Sequence, residues 1–266
     1  MHETEKIIEA ASRMKRGIVA TIVSTSGSTY RRAGALCVIS EDGETIGTIS
    51  GGCLEKDLAA RCSEWLGSME PRTITYDSTR EDDIVFGLGL GCRGVIEVRI
   101  EPFDEAHPPH IEPAPKRRLL IYGGGPDVQP LAQMADLAGM SVSVVRPRDV
   151  HPEQVTAPDA DAVVIMTHNY LYDLALLETM LASNVEYIGL LGPKTRGSEL
   201  LAEAKGDPSR VHNPAGLNIG GETPEEIAVS ILAEVQAVLN KRDAQPLRNL
   251  EGPLHADDPR PGCRRV

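Results

Sequence analysis

The chain has 266 residues, and its 39 acidic against 27 basic side chains give a formal net charge of −12 at pH 7. An acidic surface repels phosphate backbones, so nucleic acid is excluded as an expected partner. The sequence has no run of about 18 apolar residues and its charged first residues have no apolar centre, so we expect no membrane span, no export signal and a cytoplasmic location.

The first hundred residues mix strands and helices. Apolar side chains at helical spacing predict helices over 3–15 and 54–66. Strands are predicted over 17–25, 35–40, 45–49, 72–78 and 95–102. We therefore predict a small mixed α+β domain over residues 1–103.

The segment TISGGCLEKD sets two glycines and a cysteine between a predicted strand and a predicted helix. Such a turn presents bare backbone N–H groups to a bound anion, which makes Gly51 and Gly52 candidate ligand contacts. The residues leave four roles open for Cys53. It is a nucleophile, a sulfur carrier, a metal ligand or a small apolar residue in a tight turn.

A second glycine-rich segment, GLGLGCRG, contains a G-x-G-x-x-G pattern at Gly89, Gly91 and Gly94. A dinucleotide fingerprint needs a helix after the glycines, whereas a strand is predicted here, so we reject that interpretation. Two interpretations stay open. The glycines serve only as turns, or the backbone approaches a ligand closely, with Cys92 and Arg93 at the tip.

Five cysteines occur, and their spacings match no zinc pattern. We expect no disulfides in a reducing compartment. Cys37 and Cys62 fall in apolar segments and are predicted to be buried. Cys53 and Cys92, in the two glycine-rich turns, are the candidates for contact with sulfur or a metal.

Residues 104–117 hold four prolines and are predicted to be a linker. From there strands alternate with helices, which predicts a Rossmann-like α/β domain over 118–240 with a parallel sheet covered on both faces. Thr223 and Glu226 form a capping box for its last helix. Residues 241–266 show no periodicity and are predicted to be a loosely ordered tail.

The segment IYGGGPDV places Gly123 and Gly125 after a strand and before a helix, the context of a dinucleotide site. Val128 takes the third glycine position, where a side chain either pushes helix and strand apart or changes the turn. Arg146 stands where an acidic residue would bind ribose hydroxyls, and arginine prefers phosphate or carboxylate. We predict a Rossmann-like domain with a damaged NAD site, or one that binds no dinucleotide.

His168 follows a predicted strand at the edge where open parallel sheets bind ligands. A ligand contact and a capping or core role both stay open for it. Asn169 is predicted to cap the helix that follows.

The order of these motifs over residues 17–240 resembles that of the XdhC/CoxI family, from SGGCLEKDL and GLGLGCRG through IYGGGPDV and MTHNYLYD to NPAGLNIGGETPEEIAV. The resemblance implies an accessory protein for molybdenum hydroxylases of the xanthine dehydrogenase or CO dehydrogenase type. It further implies transient binding of the molybdenum cofactor (molybdopterin), protection of that cofactor, its sulfuration with a cysteine desulfurase as donor, and delivery to the apo-enzyme. Family members are often homodimers.

Carried over position by position, the motifs imply these cofactor contacts: Gly51, Gly52, Cys53, Glu55, Gly89, Gly91, Cys92, Gly94, Gly123, Gly125 and His168. We add Arg31, Arg93 and Arg146, because a phosphate-bearing pterin favours guanidinium partners. Family members usually carry an acid in place of Arg146, which argues against an NAD(P) role. Many carry Asp in place of Asn169, which argues against a His–Asp acid/base pair.

Two other functions stay open. The Rossmann-like domain could serve an NAD(P)-dependent oxidoreductase, against which Arg146 and Val128 argue. Alternatively, the chain could be a non-catalytic docking module for a molybdenum hydroxylase. We expect a maturation factor rather than an enzyme.

Overall fold

The computed structural model describes residues 3–79, 94–113, 115–149, 151, 154–156 and 158–251. Contacts group this part of the chain into two units, one from the described residues of 3–114 and 246–266 and one from those of 115–245. Nowhere in these residues is a helix both long and apolar enough to cross a membrane. Each unit is built around its own sheet.

The first unit has the order α1 (Glu3–Arg13), β1 (Arg16–Gly27), β2 (Leu36–Ser40), β3 (Thr45–Gly47), α2 (Cys53–Ser68), β4 (Arg72–Asp77) and β5 (Gly94–Asp104). In the described residues its strands form an antiparallel sheet, sheet A, in the order β3-β2-β1-β5-β4. β1 alternates its side chains between the two faces. Ile18 packs in the cluster of α2, and Val19 packs in the cluster of α1. Both faces are therefore covered, each by one helix.

The second unit has the order β6 (Arg118–Gly123), α3 (Val128–Leu137), β7 (Ser141–Val145), β8 (Ala162–Met166), α4 (Tyr170–Leu181), β9 (Tyr187–Leu190), α5 (Lys194–Glu203), β10 (Val211–His212) and α6 (Pro224–Leu239). Its described strands form a parallel sheet, sheet B, in the order β10-β9-β8-β6-β7. Along β8, Val164 packs with α3 and α6, whereas Val163 packs with α4. The sheet is therefore buried on both faces.

The strand order of sheet B reverses at β6. The chain builds β7 on one side of β6 and then returns to build β8 on the other side. In open parallel sheets, ligands bind outside the carboxyl ends of the strands at this switch point. The two segments there are residues 124–127 after β6 and residues 167–169 after β8. We call the surface at the carboxyl ends of β6, β7 and β8 the carboxyl edge.

The predicted fold class is confirmed, since a mixed α+β unit precedes a parallel-sheet unit of Rossmann type. The capping box is confirmed as well. The Thr223 hydroxyl accepts a hydrogen bond from Glu226 N, and the Glu226 carboxylate accepts one from Thr223 N. In the stretch predicted as a linker, Ile111 packs against the apolar cluster under α1. Within the predicted tail, residues 252–266 lie outside the described residues.

Candidate functional site

Glu55 organises the turn between β3 and α2, residues 48–55, which we call the Cys53 turn. Its Oε1 accepts hydrogen bonds from Thr48 Oγ1 at 2.7 Å, Ile49 N at 2.7 Å and Ser50 N at 2.9 Å. Its Oε2 accepts hydrogen bonds from Gly52 N at 3.0 Å and from the Ser50 hydroxyl. The residue is only 6% exposed.

These hydrogen bonds hold Glu55 in its ionised form. Burial alone would raise the pKa of Glu55, but the hydrogen bonds from Ser50, Thr48 and the backbone outweigh burial and lower it to about 2. The prediction of bare N–H groups is therefore wrong for Gly51 and Gly52, because Thr48 Oγ1 accepts from Gly51 N and Glu55 accepts from Gly52 N. Glu55 shapes the turn, and its oxygens face the backbone.

Cys53 is the first residue of α2, and its side chain is exposed. Gly51 and Gly52, at φ +80 and +114, adopt the left-handed conformations that turn the chain into the helix. The Cys53 N–H finds no acceptor among the described residues, whereas Gly51 N donates to Thr48 Oγ1 and Leu54 N to Ser50 Oγ. The turn thus presents one thiol and one N–H together.

The other described cysteines differ from Cys53. Cys37 and Cys62 are buried, as predicted. Burial raises the pKa of the Cys37 thiol to about 12 and that of the Cys62 thiol to about 11. Both thiols therefore stay protonated at neutral pH, and of the cysteines that the structure describes only Cys53 can react readily with a partner in solution.

The 28–35 loop between β1 and β2 borders the Cys53 turn. A Cβ atom on Gly51 would lie 3.4 Å from the ring of Tyr30. The next residue, Arg31, donates from its two terminal nitrogens to the carboxylate of Glu3 at 3.0 and 2.6 Å. This hydrogen-bonded pairing raises the pKa of Arg31. The structure thus places Arg31, a predicted cofactor contact, near the Cys53 turn but in an ion pair.

The same loop contacts the end of the second glycine-rich segment. A Cβ atom on Gly94 would lie 2.6 Å from Ser28 O and 2.7 Å from Ser26 O, so no other residue fits there. β5 begins at Gly94, so a strand and not a helix follows, which agrees with our rejection of a dinucleotide fingerprint in this segment. Four further predicted contacts lie outside the described residues, and their roles stay predictions: Gly89, Gly91, Cys92 and Arg93.

A shallow, open depression of about 470 Å³ lies beside the Cys53 turn. Among its described lining residues, Lys56 on the first turn of α2 carries the positive charge. The lining residues are Gly43, Thr45, Gly47, Thr48, Gly51, Gly52, Glu55, Lys56 and Ala59. The turn therefore offers a concave surface with a cation next to an exposed thiol.

The carboxyl edge of sheet B begins at Gly123. A Cβ atom there would lie 2.8 Å from Val128 Cγ2 and 2.7 Å from Met166 Cγ. The side chain of Val128 therefore occupies the space beside Gly123, and the residue is only 7% exposed. The valine at the third glycine position does not separate helix and strand, because the first glycine leaves room for it.

His168 and Asp127 meet at the switch point. His168 Nε2 lies 3.4 Å from Asp127 Oδ2, and the imidazole is 57% exposed. Asp127 is at the N-cap position of α3, yet its side chain makes no capping hydrogen bond. His168 and Asp127 thus form a His–Asp pair. Sequence analysis argued against such a pair, because Asn169 stands where many family members carry Asp. The acid comes from the glycine turn after β6.

Asn169 has the capping role predicted for it. Its Oδ1 accepts a hydrogen bond from Tyr172 N at 3.1 Å. Beneath it, Asp173 is 1% exposed and accepts hydrogen bonds from the Thr167 hydroxyl and from Arg196 at 2.6 Å. The residues on both sides of His168 are therefore fixed.

Arg146 lies one residue beyond β7 and is exposed. Its carbonyl accepts a hydrogen bond from Asp149 N at 2.9 Å, whereas its guanidinium has no hydrogen-bonding or ionic partner among the residues that the structure describes. Its neighbour Pro147 approaches the glycine turn, with Cδ 3.9 Å from the Cβ position of Gly124. Arg146 is thus a cation beside the turn that carries Asp127.

Sequence reasoning missed Asp127 and the Thr167–Asp173–Arg196 network. The position of Asp127 immediately before a predicted helix favours a cap, and nothing local indicates that it faces His168 instead. For Glu55 a usable signal was present, because an acid three residues into a helix is typical of a capping box. Among the described residues, no three His, Cys, Asp or Glu side chains are grouped so that they could hold a metal ion.

Family models match two parts of the chain. The XdhC Rossmann domain matches residues 119–235, and the XdhC and CoxI family model matches residues 10–77. The matches fall on the two units and contain both the Cys53 turn and the carboxyl edge.

The chain is similar to curated proteins over most of its length. It is 31% identical to a probable xanthine dehydrogenase subunit from Bacillus subtilis (strain 168), over 83% of this chain and 92% of that protein. It is 26% identical to the molybdenum cofactor insertion chaperone PaoD of Escherichia coli (strain K12), over 87% of this chain and 86% of that protein. A crystal structure of a xanthine dehydrogenase from Bacillus halodurans aligns with a TM-score of 0.75 at 29% identity, covering 93% and 98% of the two chains.

Proposed function

Because this chain belongs to the XdhC and CoxI family, we propose that it is a molybdenum cofactor insertion chaperone for a molybdenum enzyme of the xanthine dehydrogenase type. The molybdenum cofactor is its cargo. The protein binds the cofactor transiently, protects it while a cysteine desulfurase supplies the terminal sulfur, and delivers it to the apo-enzyme. We propose that it acts as a homodimer.

The observation that carries this proposal is the exposed thiol of Cys53 on a rigid turn. Thiolates are soft ligands and suit sulfur and molybdenum better than carboxylates do. The buried Cys37 and Cys62, with their raised pKa values, cannot take this role. Glu55 supports it indirectly, since its hydrogen bonds fix the backbone on which Cys53 stands.

The surroundings of the Cys53 turn fit a planar cargo with a phosphate. The glycines at 51 and 52 leave the backbone bare of side chains, so a flat ring can approach it. Lys56 provides a cation for the phosphate in the adjoining depression. Gly94 contacts the 28–35 loop that borders the same turn. Cofactor contacts by Gly89, Gly91, Cys92 and Arg93 are part of this proposal.

Retention and transfer of the cofactor test the proposal. The full chain is incubated with isolated molybdenum cofactor and passed through a gel-filtration column, and the retained pterin is oxidised and measured by fluorescence. The loaded protein is then mixed with a cofactor-free xanthine dehydrogenase, whose activity reports delivery. We expect retention and activation by the wild type and a loss of roughly tenfold or more in Cys53→Ser.

The matched control is Glu64→Gln, which changes an exposed side chain on the same helix. Its retention and delivery should equal those of the wild type. A wild-type protein that neither retains the cofactor nor activates the apo-enzyme would rule out the chaperone role. Full retention by Cys53→Ser would remove Cys53 from the binding surface.

A further inference from the structure

The outer edge of β7 is a surface that neither the Cys53 turn nor the carboxyl edge accounts for. We propose that β7 pairs antiparallel with β7 of a second copy of this chain, about a two-fold axis at Ser143, and so joins two copies of sheet B into one continuous sheet. This inference rests on the proposed homodimer and assigns its interface. It involves no cofactor and is therefore tested separately from the chaperone role.

The outer edge of β7 is open to pairing. β7 is an outer strand of sheet B, and among the described strands β6 is its only neighbour. An outer strand presents unpaired N–H and C=O groups, which proteins usually protect by a very short strand, charged side chains or proline. β7 has none of these protections, since its five residues are SVSVV. Ser141, Ser143 and Val144 are exposed along it.

The other outer strands of the described sheets are protected. At the opposite edge of sheet B, β10 has only two residues and is followed closely by Pro214. In sheet A, β3 has only three residues, and β4 begins with Arg72 and ends with Asp77. Among the outer strands that the structure describes, β7 thus combines length with freedom from charge and proline.

The backbone of β7 shows which of its groups face outward. Ser141 N donates a hydrogen bond to Arg117 O, so Ser141 directs its backbone groups toward β6. Successive residues of a strand direct these groups to opposite sides. Val142 and Val144 therefore turn their N–H and C=O groups to the outer edge.

Groups just beyond the strand limit the pairing at both ends. Met140 and Arg146 are the next residues on the outward-facing side. Met140 N already donates to Ala135 O at 2.9 Å, and Arg146 O already accepts from Asp149 N at 2.9 Å. Complete pairing is therefore available only at the two outward-facing valines.

One antiparallel register uses all the groups of these valines. It sets Val142 opposite Val144 of the second copy, so that each such pair exchanges both hydrogen bonds. Ser143 then lies opposite Ser143 of the second copy. Val142 packs against the cluster of α3 and α6, and Val144 is 40% exposed in the single chain. The valine pairs thus extend an apolar cluster across the axis.

Charges near the two ends of β7 are complementary in this register. The turn after β7, with Arg146 and Arg148, comes next to the end of α3 in the second copy. The last turn of α3 contains Asp136 and no basic residue, so its own helix supplies no cation to the negative end of the dipole. The arginines of the second copy supply positive charge there.

Analytical ultracentrifugation of the full chain tests the interface. We expect the wild type to sediment as a dimer, at twice the chain mass of 28.6 kDa, and no further because the pairing uses both β7 edges. Ser143→Lys places like charges opposite each other and should raise the dissociation constant of the dimer by roughly tenfold or more. The matched control is Thr73→Lys, which changes an exposed residue of the outer strand β4 and should stay dimeric.

A mixing experiment separates a lost interface from a lost fold. Ser143→Glu should dissociate as Ser143→Lys does. An equimolar mixture of the two variants should sediment as a dimer, because opposite charges then meet at the axis. Two misfolded variants would not restore each other in this way. A mixture that stays monomeric would overturn the proposed pairing.

Cross-linking tests the register. At an antiparallel pair without mutual hydrogen bonds the Cα atoms are about 4.5 Å apart, within the range that a disulfide spans. Ser143→Cys should therefore form a disulfide between two copies under mild oxidation, which peptide mass spectrometry identifies. Ser141→Cys is the control, because residue 141 is displaced by roughly 13 Å along the strand from residue 141 of the second copy. A disulfide in Ser141→Cys instead of Ser143→Cys would overturn the register.

The outcomes distinguish the interface from the chaperone role. A dimer of wild-type strength in Ser143→Lys, or a dimer lost in Thr73→Lys instead, would overturn the interface and leave the chaperone role standing. A monomeric wild type would overturn the interface together with the proposed homodimer. A wild-type dimer that dissociates in Ser143→Lys but retains no cofactor would support the interface and rule out the chaperone role.

Discussion

Gly125 and Asp127 lie so close that a larger residue at 125 would displace the carboxylate of Asp127. A Cβ atom on Gly125 would lie 2.5 Å from Asp127 Oδ1, far inside van der Waals contact, and 3.6 Å from His168 Nε2. The requirement for glycine here is one of space. The carboxylate can turn toward His168 only because residue 125 has no side chain.

Gly125→Ala should therefore displace Asp127 from His168. We expect the nitrogen chemical shifts of the His168 imidazole to change in NMR as the carboxylate moves away, with a loss of only about 1 kcal/mol in the free energy of unfolding, because the displaced atom ends a flexible side chain. Gly124→Ala is the matched control, because the nearest atom to its Cβ position is 3.9 Å away. An unchanged His168 spectrum in Gly125→Ala would contradict the steric argument.

Glu55→Gln should destabilise the first unit at neutral pH. The amide cannot accept at both ends, and its N–H₂ group would face backbone donors, so we expect a loss of about 2–4 kcal/mol in urea unfolding. Glu64→Gln, which changes an exposed residue of the same helix, should lower the free energy of unfolding only slightly. Equal stability of the two variants would show that the hydrogen bonds of Glu55 do not hold the turn.

The contribution of Glu55 should also depend on pH with a definite sign. Its pKa is about 2 in the folded protein, and about 4.3 is usual for an unfolded chain. A lowered pKa gives stability that is fully present above the unfolded value and is lost as the pH falls toward the folded one. The difference in unfolding free energy between wild type and Glu55→Gln should therefore shrink between about pH 4 and about pH 2. A difference that stays constant over that range would count against the lowered pKa.

Cysteine labelling should separate the described thiols by exposure. With a maleimide at neutral pH, the peptide that contains Cys53 should be modified fast, and those with Cys37 and Cys62 slowly, since their buried thiols have pKa values of about 12 and about 11. Peptide mass spectrometry measures each site by itself, with Cys53→Ser as the control for assignment. Fast labelling of Cys62 in the folded protein would contradict the described packing of α2.

Arg196→Met should lower the free energy of unfolding more than the loss of an exposed charge normally does. It leaves the carboxylate of Asp173, which is 1% exposed, without its cation, and removing one partner of a buried pair costs about 3–5 kcal/mol. Lys194→Met, on the exposed start of the same helix, is the control. Adding Asp173→Asn to Arg196→Met should recover part of the loss. If the double variant is less stable than Arg196→Met alone, the charge is not the cause.

Local patterns were enough to predict the elements and their order. Periodicity placed the described strands and helices to within a few residues, except for the two-residue β10, which it did not predict. The caps at Thr223 and Asn169 followed from residue type alone. The strand order of sheet B depends on long-range pairing, and so does the contact of Asp127 with His168 across β6 and β8. A single sequence contains no local signal for either.

The Cys53 turn is the opposite case, because a local signal was present there in Glu55. Two glycines before a helix indicate an anion site, whereas Glu55 at the third helical position indicates a capping box that uses the same donors. The Glu55 carboxylate binds these backbone donors itself, and a cofactor contact at Glu55 stays a prediction. A buried acid close in sequence competes with any external phosphate for the same donors.

The depression beside the Cys53 turn is open, and this has a consequence for the proposed chaperone role if the cargo sits there. A molecule seated on an open surface keeps one face uncovered, and a recipient enzyme can engage that face before the first protein lets go. Transfer can then proceed inside a ternary complex, with no free intermediate diffusing between the two proteins. A closed cavity would have shielded the cargo more completely and would have required an opening step before each hand-over.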